Sequence, residues 1–371
     1  MEGGRVPVAR RQLLAEPAKL VAAVAAVAAA VALVLLLSGL RRGLGEQVTT
    51  YLDRQPPVLV GQAGARDFLS QTSVLVPGTV ARVARVPGVA DAAPVTEGYA
   101  MLNLHGKRVL ALLIGYDPGR RGGPWRLAAG RRPASLNELV LDRVLADEHG
   151  LAVGSTLRFR GAGLRVVGLS SGTSGFMTPL AFTTRATVNA MNRQPNTASF
   201  LLVTPGRGVA PDALERRINA EVPGVSAILR DRLAANDRDV FVGAFSGPLL
   251  AMILIAAAVA VLVIAITVYS STRDRSREYA TLKAVGLGRG ALLRLVAAQS
   301  GAVAVAGTAL GVVLAVAASR SVPELAPKYL IVVTSSDIVR MAVAALLFAL
   351  AAGFVPARYL AALDPASAFR R

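Results

Sequence analysis

The sequence lacks cysteine altogether and contains only two histidines, His105 and His149. The absence of thiols excludes disulfides, thiolate nucleophiles and cysteine-based metal sites. Neither histidine has a metal partner at ligand spacing, so we predict no metal site and no cofactor. Charged residues make up only 17% of the chain, whereas soluble domains carry roughly 25%. An ordinary cytoplasmic enzyme is therefore excluded.

Lysine is also scarce: of 41 Lys and Arg residues only four are Lys, and the formal net charge is +18. In a soluble protein this balance would suggest nucleic acid as a partner. However, 53% of the residues are hydrophobic, and they cluster in four blocks of about 18 to 24 residues, enough to cross a bilayer. In such a chain basic residues set topology and attract anionic lipid. We therefore predict a lipid bilayer, not nucleic acid, as the environment.

The four apolar blocks predict four transmembrane helices, and the charge of the short loops predicts their orientation. The loop between the second and third blocks carries six basic residues, while the next loop carries only Arg320 and Lys328. Basic short loops remain in the cytoplasm, so both termini are expected on the cytoplasmic side of a bacterial plasma membrane. The predicted order is a cytoplasmic N-terminus (1–19), first span (20–40), extracytoplasmic domain (41–247), second span (248–269), cytoplasmic loop (270–294), third span (295–318), short extracytoplasmic loop (319–337), fourth span (338–355) and cytoplasmic tail (356–371).

The segment 41–247 is long enough to form a domain with its own core. Two stretches in it, 77–95 and 211–229, each combine a proline near a helix start, helical apolar periodicity and Val-Pro-Gly-Val before a strand. We interpret them as two α/β halves separated by a β-rich insertion near 105–205. The predicted fold class is thus membrane α-helical with four transmembrane helices, and a large extracytoplasmic α+β domain is inserted between helices 1 and 2.

Within the domain, alternating or apolar runs bounded by turn residues predict strands. These runs lie at 99–104, 108–114, 156–159, 164–169 and 199–204. The last part of the domain segment, 231–247, is polar and then amphipathic. It has two interpretations: a stalk that carries motion between domain and membrane, or a plain linker.

One stretch, 168–172, matches the nucleophile-elbow pattern with Ser170 at its centre. That motif requires a histidine after the serine in the chain, but both histidines precede Ser170. We favour a Gly/Ser-rich turn over a serine hydrolase, and we predict no catalytic residue. A phosphate-binding loop ending in Gly-Lys-Ser/Thr is absent too, so the chain does not hydrolyse nucleotides by that route.

The sequence predicts a short amphipathic helix in the cytoplasmic loop. Tyr279, Leu282 and Val285 recur every three residues and form an apolar stripe that charged residues surround. Gly286 then interrupts the helix before the third span. The stripe needs a cover, which is either the lipid headgroup layer or a groove on a partner.

This loop resembles the coupling-helix signature of the FtsX-like permease family, which includes MacB-type exporters. The resemblance rests on Arg277-Glu278-Tyr279 followed by Leu-Lys-Ala-Val-Gly at 282–286. The C-terminal residues 356–370 resemble that family's ending, and the layout of one span, a large domain and three further spans is similar as well.

The resemblance implies a non-catalytic permease subunit of an ATP-binding cassette transporter. Its partners would be two copies of a cytoplasmic ATPase, a second permease in a homodimer and, as an option left open, an envelope adaptor. The implied activity is export or extraction of a hydrophobic, lipid, lipoprotein or peptide substrate; the alternative in the same family is a regulator that activates a cell-wall hydrolase. The residues expected to contact the ATPase are Arg277, Glu278, Tyr279, Leu282, Lys283 and Gly286.

The third span carries small residues at a spacing of three or four, which lets helix backbones approach closely in a membrane. These residues are Ser300, Ala304, Gly307 and Gly311. Two interpretations stay open: a face for the dimer, or packing within the chain.

Overall fold

The computed structural model describes residues 17–70, 73–104, 106–159, 162–175, 178–274, 289–326 and 329–362. These residues form two compact units. The first, here called the domain, is built from Leu44–Phe245; the second, here called the helical unit, is built from segments on either side of it in the sequence. Each unit is described by itself below.

Four of the α-helices are long and four are short. They are α1 (Pro17–Thr49), α2 (Thr79–Ala84), α3 (Arg143–Glu148), α4 (Arg185–Asn192), α5 (Pro211–Glu221), α6 (Arg230–Asp274), α7 (Arg289–Leu325) and α8 (Ser335–Ala362) among the described residues. Each long helix extends beyond the predicted span that it contains. In α1 the helix continues through Arg41-Arg42 and residues 43–49, where the apolar block has already ended.

Two helices of the described chain are long and apolar enough to cross a membrane, Leu20–Thr49 and Gly301–Val322. A third counts if Arg230–Phe245 and Gly247–Val263 are taken as one bent span. These helices overlap the first, third and second predicted spans. The presence of helices able to span a membrane is thus confirmed, while the count of four spans and their placement stay predictions.

The helical unit has a small aliphatic core in which α1, α7 and α8 meet. Its buried members are Val27, Val31, Ala32, Leu35, Ala304, Ala315 and Ala345. At the start of α8, the Thr334 hydroxyl accepts a hydrogen bond from the Asp337 backbone N–H at 3.3 Å. The Asp337 carboxylate in turn accepts from Arg42 of α1 at 3.0 Å, so a polar contact joins α1 to the first turn of α8.

The domain is built on one mixed sheet of ten strands. They are β1 (Val58–Gln62), β2 (Val89–Leu104), β3 (Lys107–Tyr116), β4 (Leu127–Gly130), β5 (Glu138–Asp142), β6 (Thr156–Phe159), β7 (Ala162–Ser170), β8 (Leu180–Thr184), β9 (Phe200–Pro205) and β10 (Val225–Leu229). The strand order is β10-β1-β9-β2-β3-β8-β5-β7-β4, and β6 pairs with β2 and β7. Four of the predicted runs lie within strands, and the fifth does so except for Ser199, which precedes β9. The α+β class of the domain is confirmed.

The two stretches interpreted as equivalent halves form α2 followed by β2 and α5 followed by β10. Val83 of α2 and Leu214 and Ile218 of α5 lie in one hydrophobic core together with β1 and β9. The glycine of each Val-Pro-Gly-Val segment has a positive φ, +97° at Gly88 and +83° at Gly224. Glycine adopts this conformation without steric cost, and each of these glycines directly precedes the strand that follows, β2 or β10.

The β-rich part of the domain has a separate core. β2 is long enough to join the two cores: Ala92 lies in the first, while Leu102 and Leu104 lie in the second with residues of β3, β5, β6, β7 and β8. β9 falls inside the range 105–205 predicted for the insertion, yet it pairs with β1 and β2. Its Leu201 and Val203 are buried in the first core, so the β-rich part ends before β9.

The sheet edge at β10 is closed by a side chain of the same domain. The Asn219 amide of α5 donates to the Ala227 carbonyl at 3.0 Å and accepts from the Ala227 N–H at 2.7 Å. Asn219 therefore takes the place that a neighbouring strand would occupy at that residue.

Candidate functional site

The predicted contact with an ATPase lies outside the described residues. Helix α6 ends at Asp274 and α7 begins at Arg289, and Arg277, Glu278, Tyr279, Leu282, Lys283 and Gly286 all fall between them. The role of these six residues therefore stays a prediction.

The small residues of the third predicted span lie in α7, and two of them face α1 of the same chain. A Cβ atom added at Gly307 would lie 2.6 Å from the Val27 Cβ, and one added at Gly311 would lie 2.7 Å from the Ala28 carbonyl oxygen. Both distances are too short for non-bonded atoms, so only glycine permits this approach. Ala304 is buried in the same contact, while Ser300 belongs to α7 one turn earlier.

Among the two interpretations of this stripe, packing within the chain is the arrangement that Gly307 and Gly311 adopt here. Contact between small residues allows dispersion attraction between backbones where lipid offers no hydrophobic gain. The result is a close pair of helices, α1 and α7, inside the helical unit.

In the domain, the first turns of α6 are packed into the core and do not form a plain linker. Leu233 is fully buried and Ala234 nearly so, both in the cluster that contains Tyr51 and Phe68. Phe241 packs against the same cluster. Leu233, Asp237 and Phe241 are spaced by four residues and therefore share one helix face.

Asp237 lies in the middle of that buried face and holds a distant loop. Its Oδ1 accepts hydrogen bonds from the backbone N–H groups of Phe68 and Leu69, both at 3.0 Å. The neighbouring Asn236 amide donates to the Arg66 carbonyl at 2.8 Å. Three hydrogen bonds thus fasten α6 to the segment that follows β1.

The other carboxylate oxygen of Asp237 is buried and has no hydrogen-bond partner among the described residues. Burial raises the pKa of Asp237 to about 7, against the lowering effect of the two N–H donors. Burial also raises the pKa of Glu97, and the nearby charge of Asp237 adds to that increase. The two carboxyl groups therefore disfavour each other's ionisation.

The first turns of α6 also contact the end of α1 and the residues that follow it. The Arg230 backbone N–H donates to the Pro57 carbonyl at 2.8 Å, and its guanidinium donates to the Gln55 carbonyl at 3.2 Å. Arg238 reaches the Gly45 carbonyl and the Thr49 hydroxyl, each at 3.5 Å. We call this set of contacts, together with those of Asp237, the α1–α6 clamp.

Sequence reasoning missed the clamp, although a signal existed. An aspartate between Leu233 and Phe241 at helical spacing marks a polar group on an otherwise apolar face. The backbone N–H groups that donate to this aspartate could not be identified from the sequence, because Asp237 is 169 residues from Phe68 in the chain.

Ser170 is part of a structural network and not an exposed nucleophile. Its hydroxyl is buried, donates to the Leu141 carbonyl at 3.2 Å and lies 2.7 Å from the Thr173 hydroxyl. Thr173 donates to Asp142 at 2.7 Å, and Asp142 caps α3 by accepting from the Leu145 N–H. The turn interpretation accounts for all of these contacts.

Of the two histidines, only His149 lies in the part of the chain that the structure describes. His149 follows α3, and its Nδ1 lies 3.0 Å from the Leu145 carbonyl, which is the helix-capping role expected of it. His105 lies outside the described residues. No group of three or more metal-ligating side chains occurs among the residues that the structure describes.

Two family models match the chain, one for each part of the predicted layout. The MacB-like periplasmic core domain matches residues 20–221, and the FtsX-like permease C-terminal model matches residues 250–365. The second match includes the loop on which the resemblance was based.

Relatives that match over nearly the whole chain are described as ABC transporter permeases. An uncharacterized ABC transporter permease of Mycobacterium tuberculosis is 26% identical over 365 residues, with 97% of this chain and 98% of the relative covered. A second uncharacterized ABC transporter permease of that organism is 27% identical over 372 residues, with the same coverage of 97% and 98%.

Solved structures similar to this chain are isolated extracytoplasmic domains. The periplasmic region of MacB from Actinobacillus actinomycetemcomitans aligns with a TM-score of 0.38 and 14% identity, over 53% of this chain and 94% of that one. The extracellular domain of the transporter YknZ from Gram-positive bacteria aligns with a TM-score of 0.36 and 9% identity, over 46% and 98%. Because the MacB-like model alone matches more than half of the 371 residues, this chain belongs to the FtsX-like ABC transporter permeases with a MacB-like periplasmic core domain.

Proposed function

We propose that this permease transmits ATP-driven motion from a separate cytoplasmic ATPase to its extracytoplasmic domain, which exports or extracts a hydrophobic, lipid, lipoprotein or peptide substrate. An ABC transporter permease implies a partner ATPase, and the sequence of this chain has no phosphate-binding loop of its own. The relatives that match over the whole length are permeases as well.

The observation that carries this proposal is the α1–α6 clamp. Both α1 and α6 contribute residues to the helical unit and to the domain. In the domain their ends are held by directional hydrogen bonds through Asp237 and Arg230 and by burial of Leu233. A displacement passed along α1 or α6 would enter the domain at these contacts.

The proposed topology has four spans with both termini in the cytoplasm. Because the chain has no cysteine, a single introduced thiol is a unique label. We expect a membrane-impermeant maleimide to label Ser135→Cys, an exposed domain position, in intact cells. Ser276→Cys should be labelled only after the membrane is permeabilised, and the reverse pattern would overturn the topology.

The proposed ATPase contact is tested by Tyr279→Ala combined with Leu282→Asp. Loss of the apolar stripe should remove the ATPase from the purified complex while membrane insertion and yield stay normal. The matched control is Tyr329→Ala with Leu325→Asp, which makes the same chemical changes at two exposed residues in a loop proposed to lie outside. ATPase recovered at an unchanged ratio with the Tyr279 and Leu282 variant would contradict the proposal.

We further propose a homodimer that binds two ATPase subunits, with an envelope adaptor as an additional partner. Native mass spectrometry of the complex purified in detergent should give two permeases and two ATPases. A heterodimer with another permease would appear as a second membrane subunit at equal abundance.

A further inference from the structure

The domain contains a basic pocket that the clamp does not use. It has a volume of about 370 Å³ and lies where the turn Leu52–Arg54, the end of β3 and the β3–β4 loop meet. Four arginines line it, together with Tyr116 and Trp125. Its volume falls within the usual range for small-molecule sites, about 300–1,000 Å³.

The charge of the pocket is uncompensated inside it. The arginines are Arg54, Arg120, Arg121 and Arg132, and no carboxylate is among the described lining residues. Among the residues that the structure describes, only Arg120 of these four has an acidic partner, Asp91. Arg54 lies over the Trp125 ring at 5.8 Å, and Arg132 donates to the Pro124 carbonyl at 3.0 Å. The pocket therefore presents guanidinium groups that an anion can bind.

The loop that forms one wall is fixed in place by its glycines. A Cβ atom added at Gly123 would lie 2.4 Å from the Tyr116 ring, and Gly122 has a φ of +108° that favours glycine. The Tyr51 hydroxyl, buried in the aromatic core, donates to the Gly122 carbonyl at 3.1 Å. Because the wall is anchored to the core, the pocket does not have to be ordered by its ligand.

The strongest indication of a ligand is the hydroxyl of Tyr116. The side chain is 2% exposed, and its hydroxyl oxygen has no hydrogen-bond partner among the described residues. A buried polar group without a partner is costly. Burial raises the pKa of Tyr116 to about 12 although the charge of Arg132 acts to lower it, so the group is a neutral donor beside a cation.

Guanidinium groups and a neutral hydroxyl donor suit a tetrahedral oxyanion. Arginine binds phosphate through two parallel hydrogen bonds, and Trp125 offers an apolar surface beside the cations. We propose that this pocket binds a phosphate group, which Arg121 and Arg132 contact as cations and Tyr116 contacts as a donor. The phosphate can be carried by a lipid headgroup or by a small soluble molecule, and the experiment below distinguishes these sources.

The test uses Trp125, which is the only tryptophan of the chain and lines the pocket. The full chain is purified in a non-ionic detergent, and Trp125 emission is followed during titration with inorganic phosphate, with short-chain phosphatidic acid and with sodium chloride at matched ionic strength. We expect a saturable change with both phosphate compounds and none with chloride. Tighter binding of phosphatidic acid, by about tenfold or more, would identify a lipid headgroup as the source; equal or weaker binding would identify a small soluble phosphate.

Variants separate a built site from general charge attraction. Arg121→Gln and Arg132→Gln should each weaken binding by about tenfold or more, because each removes a charged hydrogen bond. Tyr116→Phe should weaken it by about threefold to tenfold on the same reasoning. The control Arg207→Gln makes the same charge change at an exposed residue of the domain and should leave binding unchanged.

Two results would overturn the proposal: no saturable response to either phosphate compound, or an equal loss of affinity in Arg207→Gln and Arg121→Gln. The measurement needs no ATPase. Its failure is therefore distinguishable from a failure of the proposed coupling, which is read from co-purification.

Discussion

Helix α1 packs against its neighbours in two different ways along its length. In the helical unit, Val27 and Ala28 touch Gly307 and Gly311 of α7, so that contact consists of aliphatic groups and backbone. In the domain, the end of α1 meets α6 through hydrogen bonds from Arg238 to Gly45 and Thr49, and the preceding residue of the same helix turn, Asp237, accepts from Phe68 and Leu69.

This difference follows from the medium that each region is built for. Lipid chains are as apolar as leucine, so helices proposed to lie in a bilayer gain from close backbone contact and not from burial of apolar area. A domain in water gains from burial, and hydrogen bonds then fix which groups face each other. The first contact should be sensitive to side-chain volume and the second to charge and pH.

The largest effect is expected when buried side-chain volume is removed from the domain. Leu233→Ala empties a fully buried position, so we expect a loss of about 2–5 kcal/mol in the free energy of unfolding. The control, Val240→Ala, lies on the same helix with 46% exposure and should change stability by under about 0.5 kcal/mol. Trp125 fluorescence during denaturant unfolding measures both; similar losses would mean that α6 is not packed into the core.

The next prediction tests the contact between α1 and α7 in the helical unit by adding side-chain volume. Gly307→Leu forces a side chain into the 2.6 Å approach to Val27, and we expect a cost of about 1–3 kcal/mol from overpacking. Gly301→Leu is the matched control, because a Cβ atom at Gly301 meets nothing within 4 Å. Thermal inactivation in detergent compares the two variants, and equal behaviour would contradict the α1–α7 contact.

The pH dependence of stability distinguishes the two regions. Among the residues described, a buried acid with a raised pKa occurs in the domain and not in the helical unit. The pKa of Asp237 is raised from 3.8 to about 7, so the folded chain retains a proton that the unfolded chain loses. The contribution of Asp237 to stability is therefore fully present below about pH 4 and is lost as pH rises through 7. Asp237→Asn should reduce this fall, by on the order of 1–2 kcal/mol between about pH 5 and pH 8.

The measurement for Asp237→Asn is the melting temperature of the full chain across that pH range. Asparagine keeps the acceptor oxygen for Phe68 and Leu69, so the change tests charge and not the hydrogen bonds. A residual slope is expected from Glu97, whose pKa is also raised. An unchanged slope in the variant would show that Asp237 does not titrate in this range.

The smallest effect is expected at the rim of the clamp. Arg238 is exposed and its two hydrogen bonds are 3.5 Å long, so Arg238→Gln should cost under about 1 kcal/mol. Denaturant unfolding measures this value too. A loss as large as that of Leu233→Ala would place the anchor at the arginine instead of the buried face.

Much of the fold could be predicted from the sequence, because it depends on local pattern. The apolar run in α1 marks a span, and the repeated Val-Pro-Gly-Val marks the ends of α2 and α5. Strands with alternation were found, but β4 (Leu127–Gly130) is exposed along most of its length and β8 (Leu180–Thr184) is buried on both faces. Neither alternates, so neither gives a period-two signal.

The clamp and the pocket could not be predicted because they join residues that are far apart in sequence. The sequence places Asp237 on an apolar helix face, but it does not show that Phe68 and Leu69 are its hydrogen-bond donors. Arg54 and Arg132 likewise look like ordinary surface charge until the sheet brings them to one pocket. Long-range placement follows from the packing of the whole domain, which no window of sequence contains.

The hydrogen bonds between Asn219 and Ala227 bear on how the edge strand β10 can interact with neighbouring proteins. Membrane proteins share a plane and meet often, and a bare sheet margin offers its backbone to any neighbour that extends a strand. Asn219 already binds both backbone polar groups of Ala227. The centre of β10 therefore offers neither group to a neighbouring strand. The Asn219 side chain therefore opposes strand pairing between two copies of the domain at the middle of β10.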